Sequence, residues 1–169
     1  MSGENLAADT IEVTIDGVFT THHTFRAESS VLGELTVPAF SRDATFQAVD
    51  GQALTVHSTS WRGSRYELCA GEDVLAATKP RGAFRQPIDI EHRGGLYSAV
   101  PAGAFRQGWF LVDAAGSEIL SYQPRGAFRR GAYLEVLDTA QMELIVLFYY
   151  LVFQRKREEA AATGAGASN

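Results

Sequence analysis

The sequence predicts an all-β closed barrel of twelve antiparallel strands enclosing one hydrophobic C-terminal helix. Three observations predict it. Period-two alternation of apolar and polar residues recurs in twelve short segments before Asp138. The phrase Pro-Arg-Gly-Ala-Phe-Arg closes two hairpins of nearly identical length. A run of ten residues without a polar break, LIVLFYYLVF, spans Leu144 to Phe153. Short strands at near-regular spacing indicate a barrel or sandwich. A barrel of twelve strands is too wide for strand side chains alone to fill, and the apolar run is the one segment able to fill it.

Residues 1–10 are small and polar and read as a loose N-terminus. In residues 11–16, IEVTID, Ile11, Val13 and Ile15 face one way and Glu12, Thr14 and Asp16 the other. The same pattern follows at 24–28, 33–39, 44–50, 52–58, 64–70, 73–79, 87–92, 95–100, 108–114, 117–123 and 132–137. Turn signals separate them: Asp50-Gly51, Ala70 to Asp73, Arg93 to Gly95 and Ala114 to Ser117.

Residues 66–85, YELCAGEDVLAATKPRGAFR, align with 109–129, WFLVDAAGSEILSYQPRGAFR; the copies differ by one residue in the turn. A shorter echo, VPAGAFRQ, lies at 100–107, and 46–65 is a weaker relative with Trp61-Arg62-Gly63 at the equivalent place. The repeating object is a hairpin with its exit loop. Proline ends the strand because it has no N–H for the ladder. Glycine supplies a backbone shape other residues avoid. Phe84, Phe105 and Phe128 are expected to cap the core at the barrel end.

The loop arginines admit two readings. In one they sit on solvated corners, held by carbonyls or carboxylates. In the other Arg81, Arg85, Arg106, Arg125, Arg129 and Arg130 form a ring that binds phosphate, to which guanidinium forks are well matched. The phrase has neither the length nor the Lys-Ser/Thr of a P-loop.

A helix over the apolar run is oily on every side, so protein or lipid must surround it. Ten residues make about 15 Å of helix against about 30 Å of hydrocarbon. Glu135, Asp138 and Glu143 precede the run and Arg155, Lys156 and Arg157 follow it, so it cannot be lengthened. Asp138 and Gln141 resemble a capping pair, and the basic trio suits the far end of the helix dipole. The helix is expected over 139–159, the barrel domain over 11–159, and a disordered tail over 160–169.

Other chemistry is sparse. The formal charge of −5 excludes a generally basic nucleic-acid coat. Cys69 is the sole cysteine, so no disulfide framework or cysteine metal site exists. The N-terminus lacks a basic stretch before an apolar one, and a cytoplasmic location is expected. Adjacent His22 and His23 face opposite sides of a strand; His57 and His92 are isolated and read as surface or strand histidines. Asp50 and Asp113 sit at turns, where carboxylates serve turn geometry. Trp61 and Trp109 read as core or rim residues, and no nucleophile elbow surrounds Ser58, Ser60 or Ser64. No catalytic residue, metal site or cofactor is assigned.

In order and length the chain resembles the tubby-like superfamily of tubby domains, LURP-one-related proteins and phospholipid scramblases. The repeated hairpins 66–79 and 109–123 and the terminal MELIVLFYYLVFQRKR carry the resemblance, and small bacterial LURP-one-like proteins are the closer match in size. It implies a twelve-stranded barrel around a central helix and a non-enzymatic binding or scaffold role, peripheral to membranes, with anionic phospholipid as partner. The phosphoinositide pocket of tubby domains, the acidic calcium segment of scramblases and their palmitoylated cysteines have no counterparts here. Two alternatives remain: a scramblase-like protein whose helix enters lipid, and a small enzyme with a barrel-mouth pocket.

Overall fold

The computed structural model describes residues 5–6, 9–61, 64–82, 86–103, 108–126 and 129–165. It is a closed antiparallel barrel of twelve strands with one C-terminal helix. A minor strand, β1 (Asn5–Leu6), lies outside the barrel. The barrel strands are β2 (Thr10–Asp16), β3 (Thr21–Ala27), β4 (Ser30–Val37), β5 (Ala44–Ala48), β6 (Ala53–Ser58), β7 (Tyr66–Ala70), β8 (Asp73–Pro80), β9 (Ile88–His92), β10 (Gly95–Pro101), β11 (Trp109–Asp113), β12 (Glu118–Pro124) and β13 (Gly131–Val136). Each pairs with its neighbour in sequence, and β13 returns to β2, so no barrel edge is left open. Then come β14 (Ala140–Gln141), paired with β1, and helix α1 (Met142–Ala165).

Every expected strand is present, with shifted ends. β3 and β4 each start three residues early, and β4 does so because Glu28 adopts a left-handed backbone (φ 51°) and makes a tight turn with Ser29. No glycine or asparagine marks that turn, so the sequence carries no signal for it. The helix starts at Met142, since Ala140 and Gln141 pair with Leu6 and Asn5. Asp138 caps only Thr139 N–H, at 2.6 Å, and is not the helix cap. The helix also continues through the alanines at 160–162, strong helix formers, into the expected tail. The rest of the expected disorder, at 1–4, 7–8 and 166–169, and the core-capping role of Phe84, Phe105 and Phe128 lie outside the described residues.

The internal repeat is structural. Hairpins β7–β8 and β11–β12 carry a bulge at the same step, after Leu68 and after Leu111. Hairpin β3–β4 has one too, after Phe25, so a bulged hairpin recurs every four strands around the barrel. The residues left without a ladder partner, Leu32, Leu75 and Ile119, all pack on the core. Bulges add twist and bend, which a sheet needs to close on itself.

The core joins inward-facing strand residues to α1. Leu144 to Val152 are each at most 3% exposed, around the full turn of the helix. Phe25 meets Phe46 and Tyr149 edge-to-face, at centroid distances of 5.5 and 5.1 Å, and Tyr66 meets Tyr150 at 5.5 Å. Gly33 is inward-facing and Phe46 packs over it, so a side chain at 33 would run into that ring. Gly33→Val should lower the unfolding free energy by about 2 kcal/mol through overpacking, measured by urea denaturation.

Candidate anion-binding rim

Because successive strands alternate in direction, their connections alternate between the two barrel ends. Loops 17–20, 38–43, 59–65, 81–87, 102–108 and 125–130 share one end, the rim. The short turns share the other. Four rim loops close alike: Thr59, Arg81, Ala102 and Arg125 each donate their N–H to the carbonyl six residues on, at 2.9–3.3 Å. In three of them the donor follows a strand-ending proline, Pro80, Pro101 or Pro124. The repeated phrase therefore encodes a loop whose ends are joined. Glycine's left-handed freedom is used in only one copy, at Gly126 (φ 109°).

The ends differ in charge. The rim carries Arg42, Arg65, Arg129 and Arg130, joined by Lys156 and Arg157 of α1, against Asp43, Glu158 and Glu159. The turn end carries Glu28, Asp50, Glu72 and Asp138 with Arg93. Helix α1 bonds to both ends. Glu143 accepts from Gln52, His92 and Arg93 beside the turns, whereas Tyr150 donates to Arg42 O (2.7 Å) and Arg155 to Gly82 O (2.9 Å) in rim loops.

The expected arginine ring is only partly available. Arg81 is forked onto Asp89, with its shortest contact 2.6 Å. Arg125 pairs with Glu12 at 2.5 Å, is 15% exposed, and lies over the Tyr133 ring. These two follow the structural reading, because a strand carboxylate already occupies each guanidinium. Arg129 is exposed, and Arg130 donates to Gly17 O at 2.6 Å. Arg85 and Arg106 lie outside the described residues.

Arg130 has a partner that the sequence reading missed. A cleft of about 340 Å³ opens between loops 17–20 and 38–43, walled by Val18, Phe19, Val37, Phe40 and Phe153 and lined also by Arg130 and Arg157. Neither arginine forms an ion pair among the described residues; Arg157 lies over the Phe153 ring. Two guanidiniums beside an apolar wall suit an anion with an apolar body. The basic trio after the apolar run was the available signal, but only the tertiary fold brings residue 157 beside residue 130.

His23, expected to face away from His22, and His92, expected as a surface or strand histidine and found on β9, are both buried polar anchors. His23 is fully buried. Tyr149 O–H donates to its Nδ1 (2.6 Å), its Nε2–H to Thr21 Oγ1 (2.8 Å), and Thr21 in turn to Val37 O. That chain assigns the neutral Nε2–H tautomer. Burial, reinforced by Arg130, His22 and Arg157, pushes the His23 pKa down to about 3. His92 is 5% exposed and donates to Glu143. Burial alone would raise the Glu143 pKa, but hydrogen bonds from Arg93 and His92 outweigh it and bring it down to about 2. His22, by contrast, faces out and pairs with Glu34, so the adjacent histidines do point oppositely. Asp50 and Asp113 accept backbone N–H bonds in their turns. Trp109 is buried and Trp61 stands on the rim.

Among the described residues no His/Cys/Asp/Glu cluster could hold a metal ion, and no helix is long and apolar enough to cross a membrane. Comparison with protein-family models, curated proteins and solved structures finds no match for this chain.

Both depressed pKa values make stability fall with acid. From pH 6.5 down to about 3 the unfolded chain takes a proton at His23 that the folded chain refuses, and Glu143 acts with the same sign from 4.5 towards 2. Each such group gives a slope of up to about 1.4 kcal/mol per pH unit. Urea midpoints should therefore drop steadily between pH 7 and 4. His23→Gln should be less stable at pH 7 and lose its share of that slope.

Proposed function

We propose that this protein is a non-catalytic binding module of tubby-like type, with α1 as the filling of the barrel and the rim as its face for phosphate-bearing anions. The filling reading rests on contacts that reach the helix from well-separated strands: His23 and Phe25 on β3, Tyr66 on β7 and Tyr122 on β12. It rests also on the burial of Leu144–Val152, which favours it over a helix that enters lipid.

The single observation behind the anion reading is the pair Arg130 and Arg157 beside an apolar cleft. Most buried or part-buried charges in this molecule are matched: Glu143 by His92 and Arg93, Arg125 by Glu12, Arg155 by Glu158. Arg130 and Arg157 are exposed, and their neighbours are a carbonyl and a ring. A lipid headgroup or a soluble phosphate ester supplies an anionic partner for both, and rim loops on a rigid barrel are the usual place for such a site.

Two measurements test the two halves. A chain ending at Leu137 should lose cooperative unfolding and aggregate; a soluble, cooperatively folded truncation would overturn the filling reading. Calorimetric titration with inorganic pyrophosphate should show binding that weakens at least about tenfold in Arg130→Ala/Arg157→Ala, or about 1.4 kcal/mol. Equal affinity in the variant, or none in either protein, would overturn the anion reading.

A further inference from the structure

We infer that the rim arc formed by loops 17–20, 38–43 and 59–65 is a bilayer-docking face that seats Phe19, Phe40 and Trp61 in the interfacial layer of an anionic membrane. This rests on the proposed affinity of the rim for phosphate groups and names the bilayer as their source.

The three loops connect β2 to β3, β4 to β5 and β6 to β7, so they are consecutive on the rim. They expose Val18 (85%), Phe19 (76%), Phe40 (96%) and Trp61 (88%). Among the described residues every exposed Phe and Trp lies on this arc. Scattered exposed apolar residues are ordinary, whereas a cluster beside cations calls for an apolar partner.

Phe40 makes the case sharper. Its backbone is left-handed (φ 60°), a conformation that disfavours bulky side chains and suits glycine or asparagine. Its ring meets almost nothing that folding could use. A phenylalanine here costs the fold stability twice, through its backbone and its hydration. An aromatic ring that meets the interfacial region of a bilayer recovers the second cost.

Charge selects the lipid. Arg42 and Arg65 stand in the arc and Arg130 and Arg157 beside it; its one carboxylate, Asp43, is engaged by Ser58 N–H and His57. The acidic turn end faces away. An anionic surface therefore orients a molecule of net charge −5 with the arc foremost, and apolar insertion plus basic attraction together meet the two-signal requirement for stable peripheral binding.

The full chain supplies its own probe, since Trp61 is exposed and Trp109 is 4% exposed. With phosphatidylcholine vesicles carrying about one-third phosphatidylserine, the protein should co-sediment and Trp61 emission should shift to the blue, with neither effect on phosphatidylcholine alone. Phe40→Asn and Phe19→Ser should each weaken partition about tenfold. Phe40→Asn should do so without lowering the thermal midpoint, which separates docking from folding. Vesicle binding without a Trp61 shift and unchanged in Phe40→Asn would overturn insertion. Pyrophosphate binding through Arg130 and Arg157 with no vesicle partition would overturn docking and leave the anion reading standing. Failure of both would remove both. Concentration-dependent self-association abolished by Phe40→Asn, without vesicle binding, would make the arc a face between copies and overturn the bilayer.

Discussion

A helix with no polar side must be dried on every side, and the rest of this structure answers to that requirement. Nine successive residues, Leu144–Val152, are buried through two and a half turns. A helix against a flat sheet keeps a wet face; this one does not. Aromatic rings at Phe25, Tyr66 and Tyr122, from different parts of the barrel wall, converge on Tyr149 and Tyr150. The wall in turn keeps its inward residues small where the rings are large, as at Gly33 beneath Phe46.

Such a core has little directionality, because apolar contact is insensitive to rotation and sliding. Polar anchors supply it. Glu143 fixes one end of the helix to His92, Arg93 and Gln52, and the negative charge in the first turn also suits the helix dipole. His23 and Tyr149 lock the middle. Tyr150 and Arg155 fix the other end to rim carbonyls. Arg93 accepts a left-handed backbone (φ 48°) in its turn, and its guanidinium there completes the Glu143 cluster. These bonds fix the register of α1 against the strands and loops they reach. That register places Arg157 beside loops 17–20 and 38–43. Core and candidate site are thus two consequences of one helix register.

The arginine-bearing phrase illustrates how sequence repetition separates from function. Its geometry repeats: strand, proline stop, and a loop closed over six residues. Its arginines do not share a fate. Arg81 and Arg125 are taken by Asp89 and Glu12, carboxylates on strands that the phrase does not contain. Arg81 lines a larger cavity of about 670 Å³ on the barrel wall but is held by Asp89, whereas Arg130 stands with Arg157 against an apolar cleft without an ion pair among the described residues.

The twelve strands were legible because alternation is a local property, repeated often enough to correct its own errors. The apolar run and the proline stops were legible for the same reason: composition within a few residues decides them. Turns without glycine, such as Glu28-Ser29, were not, since Glu28 is held left-handed by the strands it joins. The helix start was not, because β14 competes for Ala140 and Gln141 through a partner well over a hundred residues away. The burial of His23 and His92 and the pairing state of each arginine were beyond local reading too. By itself, then, the sequence determined the periods, the stops and the count of barrel strands, but not the β1–β14 pair. Only the tertiary structure decided which charges are spent and which are left, because an ion pair depends on distance in space, and partners such as Arg125 and Glu12 are far apart along the chain.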